Sequence, residues 1–85
     1  MIEFSYTVTV NGGMHARPAG NFVKKAQRYT ESIAVTKGNK KADAKRLFSV
    51  INLEVGQGDE IVITVEGDNE AIVAEELRGY CTSTL

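Results

Sequence analysis

The chain has 85 residues, and its 10 Lys and Arg against 11 Asp and Glu leave a net charge of −1, which gives no surface-wide attraction for nucleic acid. The length fits one domain, residues 1–85, whose small core leaves no room for a deep substrate cavity and suits a surface site acting on a partner's group. One cysteine, Cys81, excludes an intrachain disulfide and favours the cytoplasm; one His and one distant Cys form no metal cluster, and Met1-Ile2-Glu3-Phe4-Ser5 begins neither a signal peptide nor a membrane span.

Ile2, Phe4, Tyr6, Val8 and Val10 alternate with Glu3, Ser5, Thr7 and Thr9, which predicts a half-buried strand. Asn11-Gly12-Gly13 ends it. A helix follows from about Ala16 to Arg28, because Ala19, Phe22, Val23 and Ala26 recur at i, i+3, i+4 and i+7. Its outer face carries Arg17, Asn21, Lys24, Lys25 and Arg28, either a solvated face or a basic rim for acidic partners.

Ile33 and Val35 mark a second strand, and Lys37-Gly38-Asn39-Lys40 reads as a tight hairpin turn. A weakly encoded third strand near Lys40 to Asp43 suits a sheet edge guarded by lysines. Lys45 to Leu53 reads as a short helix with Leu47, Val50, Ile51 and Leu53 in a stripe and Phe48 beside it. One face of so short a helix cannot bury all five. After the turn Gly56-Gln57-Gly58-Asp59, Ile61, Ile63 and Val65 form a strand, and Val62 on its second face suggests a central position. Gly67-Asp68-Asn69 closes it, with Asp68 or Asn69 available to cap a final helix. Val73, Leu77 and Tyr80, with Ile72, are its expected buried stripe. Gly79 weakens its end, residues 81–85 are expected to fray, and Cys81 is read as a small packing residue. The order β-α-β-β-α-β-α predicts an α+β two-layer sandwich, a four-stranded sheet with all three helices on one face.

The chemistry concentrates at Gly12-Gly13-Met14-His15-Ala16-Arg17-Pro18-Ala19, which holds the only His and the only Pro. His15 falls just before the first helical turn. There the unpaired backbone N–H groups and the helix dipole favour an anion such as phosphate. An imidazole with a free lone pair is a competent nucleophile. Arg17 supplies fixed, planar donors to phosphate oxygens. Pro18 sits where its missing N–H costs little, although it disfavours the α region for Arg17. A lone histidine at a helix start is more often a cap or a structural residue. The glycine hinge, imidazole, helix N-terminus and Arg together favour the reactive reading.

Gly13-Met14-His15-Ala16-Arg17-Pro18-Ala19 resembles the active-site signature of the histidine-containing phosphocarrier proteins (HPr) of the phosphoenolpyruvate-dependent sugar phosphotransferase system. The resemblance extends over the whole chain, including the second helical segment at Lys45-Arg46-Leu47-Phe48 and the final helix after Glu66-Gly67. It implies an antiparallel sheet. It implies that phosphorylated enzyme I phosphorylates His15 on Nδ1, that the backbone of Ala16 and Arg17 cradles the phosphate with help from the Arg17 side chain, and that Pro18 positions the helix start. His15 would then pass the group to sugar-specific enzyme IIA proteins, as a carrier rather than a turnover enzyme and with no cofactor. By the same resemblance Leu47 and Phe48 dock partners, with Gly20, Lys24, Ser49 and Ile51 around them. A monomer is expected, since docking needs the His15 face free. An alternative is a regulatory binding module whose His15 phosphorylation controls a partner protein.

Two positions depart from the family pattern. Many HPr proteins carry at position 46 a serine that a regulatory kinase phosphorylates. Here it is Arg46, and Ser49 one turn on does not match that position. Position 12, often Asn in the family, is Gly12, so a side chain that holds the loop before His15 is missing. The surroundings of Ile51 are also more apolar than usual. These changes suit a specialised paralogue.

Overall fold

Period-two alternation in the strands and the helical stripes meet in one apolar layer. The computed structural model describes all 85 residues, with strands β1 (Ile2–Thr7), β2 (Ser32–Lys37), β3 (Lys40–Asp43) and β4 (Glu60–Glu66). Helices α1 (Ala16–Ala26), α2 (Leu47–Ile51) and α3 (Glu70–Thr84) intervene in the order β1-α1-β2-β3-α2-β4-α3. The sheet order is β1-β4-β2-β3 and every pairing is antiparallel. Thus β4 is interior and β3 an edge, as the lysine-rich sequence of β3 and the doubly apolar one of β4 suggest. The other face of the sheet carries Glu3, Ser5, Ser32, Thr64 and Lys41 and lies open.

Phe4, Ile33, Val35, Ala42, Ile61, Ile63 and Val65 from the sheet share one cluster with Phe22 and Val23 of α1, Val50 of α2 and Leu77 of α3. All three helices therefore cover a single face. Full burial of one such Leu, Ile or Phe side chain contributes about 1.5–3 kcal/mol, so this layer supplies most of the stabilising free energy. No helix is long and apolar enough to cross a membrane.

The boundaries differ from the sequence reading in four places. The first strand stops at Thr7, not Val10, because its partner β4 begins at Glu60 opposite Thr7. Val8 instead bonds to the turn: its N–H donates to Asp59 O, and its carbonyl accepts Gly58 N–H. Helix α1 ends at Ala26 and tightens, with Arg28 and Tyr29 N–H donating to Lys25 O and Ala26 O. Helix α2 starts at Leu47, not Lys45, since the Asp43 carboxylate takes the Lys45 N–H at 2.9 Å and Arg46 is extended. That side-chain bond offers the backbone a turn in place of a helix.

The fourth difference is the C-terminal segment, which does not fray. Val73, Leu77, Cys81 and Leu85 are spaced by four and all are buried. Leu85 O accepts the N–H groups of Thr9 and Val10 at 2.6 Å each. Ile72, placed in the stripe by the sequence reading, is instead 61% exposed, and Tyr80 is only half-buried. Burial pushes the Cys81 thiol up to about 12, in keeping with a packing role. Neither Asp68 nor Asn69 caps α3 with its side chain. The carboxylates of Glu31 and Glu70 instead hold the turn that leads into it, accepting the N–H groups of Asn69 and Gly67 at 3.2 Å each.

Candidate functional site

Gly12 and Gly13 have φ of +83° and +72°, a region that a residue with a Cβ adopts at a cost of ~1–2 kcal/mol. These two residues turn the chain from β1 toward α1. Met14 is buried and its N–H donates to Val55 O at 2.9 Å, which pins the backbone one residue before His15. His15 is the N-cap of α1, extended at φ −73° and ψ −173°, with no side-chain capping bond. Its ring is exposed. His15 thus occupies the capping position without using its side chain to cap, and it is not buried.

The first turn of α1 presents a defined set of donors. Ala19 N–H closes onto His15 O at 2.9 Å, and Pro18 has no N–H. The N–H groups of Ala16 and Arg17 are left without a partner, and no acidic residue stands in that turn. Arg17 is exposed and takes part in none of the three ion pairs, Met1–Glu70, Lys37–Asp59 and Arg78–Glu75. An exposed imidazole, two aligned backbone donors and an unengaged guanidinium therefore lie within three consecutive residues. Together they can hold a dianion beside a nucleophilic nitrogen.

Gly12 bears on which nitrogen that is. A Cβ there would stand 3.0 Å from Cδ2 and 3.3 Å from Nε2 of His15. The Cδ2–Nε2 edge of the ring thus faces the loop, and Nδ1 lies on the opposite edge. The sequence reading took Gly12 as the loss of a supporting side chain. In the fold a side chain at this position would also crowd the imidazole.

The second helix runs back along the first. Gln27 Nε2, beyond the far end of α1, donates to Lys45 O at 2.9 Å, and Val55 beyond the end of α2 holds Met14 at the near end. Along α2, Phe48 is 76% and Leu47 36% exposed, Ser49 and Ile51 are half-buried, and Val50 is buried. Phe48 is therefore no core aromatic. On α1, Lys24 is exposed and Gly20 half-buried, and a Cβ at Gly20 would meet nothing within 4 Å. A mid-helix glycine costs roughly 0.5–1 kcal/mol relative to alanine, and no neighbour within this chain demands it.

The sequence reading missed the floor of the site. Glu54 is the only non-glycine residue with positive φ, +55°. Lys37 Nζ donates to Glu54 O at 2.6 Å and pairs with Asp59 Oδ2 at 3.1 Å, while the same oxygen accepts Gly56 N–H at 2.8 Å. The Gly56 N–H and then Lys37 hold the Asp59 carboxyl below its usual range. Lys37 and Asp59 each sit in a turn-rich stretch, and no local pattern signals that the two meet.

Comparison with known proteins gives one answer. A family model described as "PTS HPr component phosphorylation site" matches residues 2–83. The phosphocarrier protein HPr of Borreliella burgdorferi is 36% identical over 77 residues, 91% of this chain and 90% of that protein. A crystal structure of HPr from Thermoanaerobacter tengcongensis superposes with a TM-score of 0.93 at 34% identity, over 99% of this chain and 94% of the other. Crh of Bacillus subtilis, described as a domain-swapped intertwined dimer, superposes at 0.76 with 30% identity, over 100% and 98% of the two chains. The match over residues 2–83 and the likeness to these relatives show that the chain belongs to the HPr family of phosphocarriers of the sugar phosphotransferase system.

Proposed function

We propose that His15 is the residue through which this chain carries its phosphoryl group, accepting it on Nδ1 from phosphorylated enzyme I and passing it to enzyme IIA proteins. The observation that carries the reading is the exposed, uncapped His15 beside the unpartnered N–H groups of Ala16 and Arg17. In the transfer, Nδ1 attacks the phosphorus of the incoming phosphohistidine, the donor's N–P bond breaks, and its imidazole leaves with the electron pair. The two backbone donors and the Arg17 guanidinium stabilise the negative charge on the three equatorial oxygens. Pro18 fixes the first turn without adding a donor. The chain itself holds the phosphoryl group and hands it on, so it acts as a carrier and not a turnover enzyme. The chain reads as one HPr domain, residues 1–85, and the cytoplasm is where such partners meet it.

Docking falls to the exposed pair Leu47 and Phe48, flanked by Ser49 and Ile51, with Lys24 beside the open helix surface at Gly20. An apolar centre with a basic rim suits weak, fast exchange with acidic surfaces. Arg46 has no hydroxyl, so regulation by a kinase acting at position 46 is absent; incubation with such a kinase leaves the intact mass unchanged. The existence of a dimeric neighbour makes accessibility of the His15 face, rather than a monomeric state, the requirement of this reading.

The test is phosphoryl transfer from phosphoenolpyruvate through purified enzyme I, read by intact mass and acid lability. One acid-labile phosphate is expected, absent from His15→Ala. A folded wild type that takes no phosphate refutes the assignment. The likeness to Crh keeps a second reading in view, a regulatory module whose phosphorylation controls a partner. It is favoured if the phosphate enters but does not move on to any IIA protein.

A further inference from the structure

We propose that Lys37 is a positioning residue for His15, acting through the loop of residues 54–59 on which the site is seated. The inference rests on the reading of His15 as the phosphoryl acceptor. Lys37, at the end of β2, bonds to Glu54 and Asp59 and not to any residue of the signature.

The chain of contacts is short and has no slack. Lys37 Nζ holds the carbonyl of Glu54 at 2.6 Å, and Glu54 is the one residue with a Cβ that the fold keeps at positive φ. A conformation that the residue itself disfavours persists only when neighbours over-determine it. The same ammonium pairs with Asp59, whose carboxylate takes the Gly56 N–H and whose carbonyl takes Val8 N–H. Between these two held points lies Val55, whose carbonyl accepts the N–H of Met14. Gly13 lies so close over the loop that a Cβ there would stand 2.4 Å from Val55 O and 2.6 Å from Gly56 Cα. A shift of residues 54–56 therefore moves Gly13 and Met14, and with them His15.

A half-exposed Lys–Asp pair by itself contributes little. Lys37 differs because one ammonium closes both ends of the loop at once, a backbone carbonyl at one end and a carboxylate at the other. Its effect falls on geometry more than on overall stability. The far side of the signature loop is held separately, by Leu85 O on Thr9 and Val10. Residues 9–14 are thus clamped from two directions, and Lys37 governs the direction that leads to the imidazole.

The experiment compares wild type with Lys37→Met, Asp59→Asn and the double variant Lys37→Met/Glu54→Gly. It records steady-state phosphorylation by phosphorylated enzyme I and the 1H–15N spectra of the His15 ring and the Met14 and His15 amides. Lys37→Met is expected to lower kcat about tenfold with KM unchanged, since displacing a reacting group by a fraction of an ångström is costly in rate. The Met14 and His15 signals shift in parallel, and Asp59→Asn moves them the same way to a smaller extent. Glu54→Gly, which makes positive φ easy, restores the rate of Lys37→Met to within a factor of about two of wild type. Unchanged signals in both Lys37→Met and Asp59→Asn overturn the proposal. So does a rate loss that Glu54→Gly does not rescue. Wild type that takes no phosphate refutes the His15 reading instead, while the amide and ring signals still decide whether Lys37 positions the loop.

Discussion

The N-termini of α1 and α3 face the same electrostatic demand and meet it in opposite ways. At α3 two carboxylates of the chain stand by the positive end: buried Glu31 takes the Asn69 N–H, and Glu70 takes that of Gly67. At α1 the first turn holds no acidic residue and the N-cap side chain makes no hydrogen bond. Both helices leave first-turn N–H groups without a partner, those of Ala16 and Arg17 and those of Ala71 and Ile72; the difference lies in the negative charge that the chain brings to one start and not to the first turn of the other. Negative charge at the α3 start stabilises that helix, while the first turn of α1 has no acidic residue of its own.

The strongest way to break the comparison is to interfere with the α1 start. Arg17→Ala is expected to slow phosphoryl acceptance about tenfold to a hundredfold, the loss of a charge-assisted bond of about 1.5–3 kcal/mol, with the urea midpoint unchanged. Ala16→Glu makes α1 resemble α3. It is expected to cost about tenfold in the same assay through repulsion of the phosphoryl group, while stabilising the fold by about 0.3–1 kcal/mol. A rate equal to wild type in both variants would deny the α1 start its role.

A smaller loss is expected at the docking surface, in a different parameter. Phe48→Ser is expected to raise KM for phosphorylated enzyme I several-fold, leaving kcat and stability near wild type, because the ring is 76% exposed and contributes little to the core. The α3 start responds in stability alone. Glu31→Ala leaves the Asn69 N–H without its acceptor and is expected to lower unfolding free energy by about 1–2 kcal/mol in urea, with phosphoryl transfer intact.

The smallest effect is a pH dependence. The Asp59 carboxyl is held below its ordinary value of 3.8 by the Gly56 N–H and Lys37. The folded state thus binds this proton less readily than the unfolded one. The stabilisation is complete above the ordinary value and is lost as pH falls through the depressed one. Asp59→Asn is expected to flatten that part of the acid limb in a thermal-denaturation series.

Much of this was legible from residues alone. Alternation located β2 and β4, the i, i+3, i+4 pattern located α1, and poor β-propensity with two lysines located the edge strand β3. The His15 signature stood out because its residues are consecutive, so its chemistry is local. The α2 surface was half legible: five apolar residues on a short helix could not all be buried, but only packing chose Val50 and Leu53 for the core and left Phe48 outside. The C-terminal segment was misread, because Gly79 and the polar run after Cys81 suggested fraying. The packing of Cys81 and Leu85, spaced by four, holds the helix together.

Sequence by itself determined the element order, the apolar faces and the constellation at residues 12–19, since each depends on neighbours one to four positions apart. Only the tertiary structure decided that β4 lies between β1 and β2, that Glu31 holds the turn before α3 from 38 positions away, and that Lys37 closes the loop beneath His15. Contacts between distant positions leave no periodic trace in the chain. They are selected by how the whole apolar layer packs, and the loops then bond to whatever that packing brings within reach.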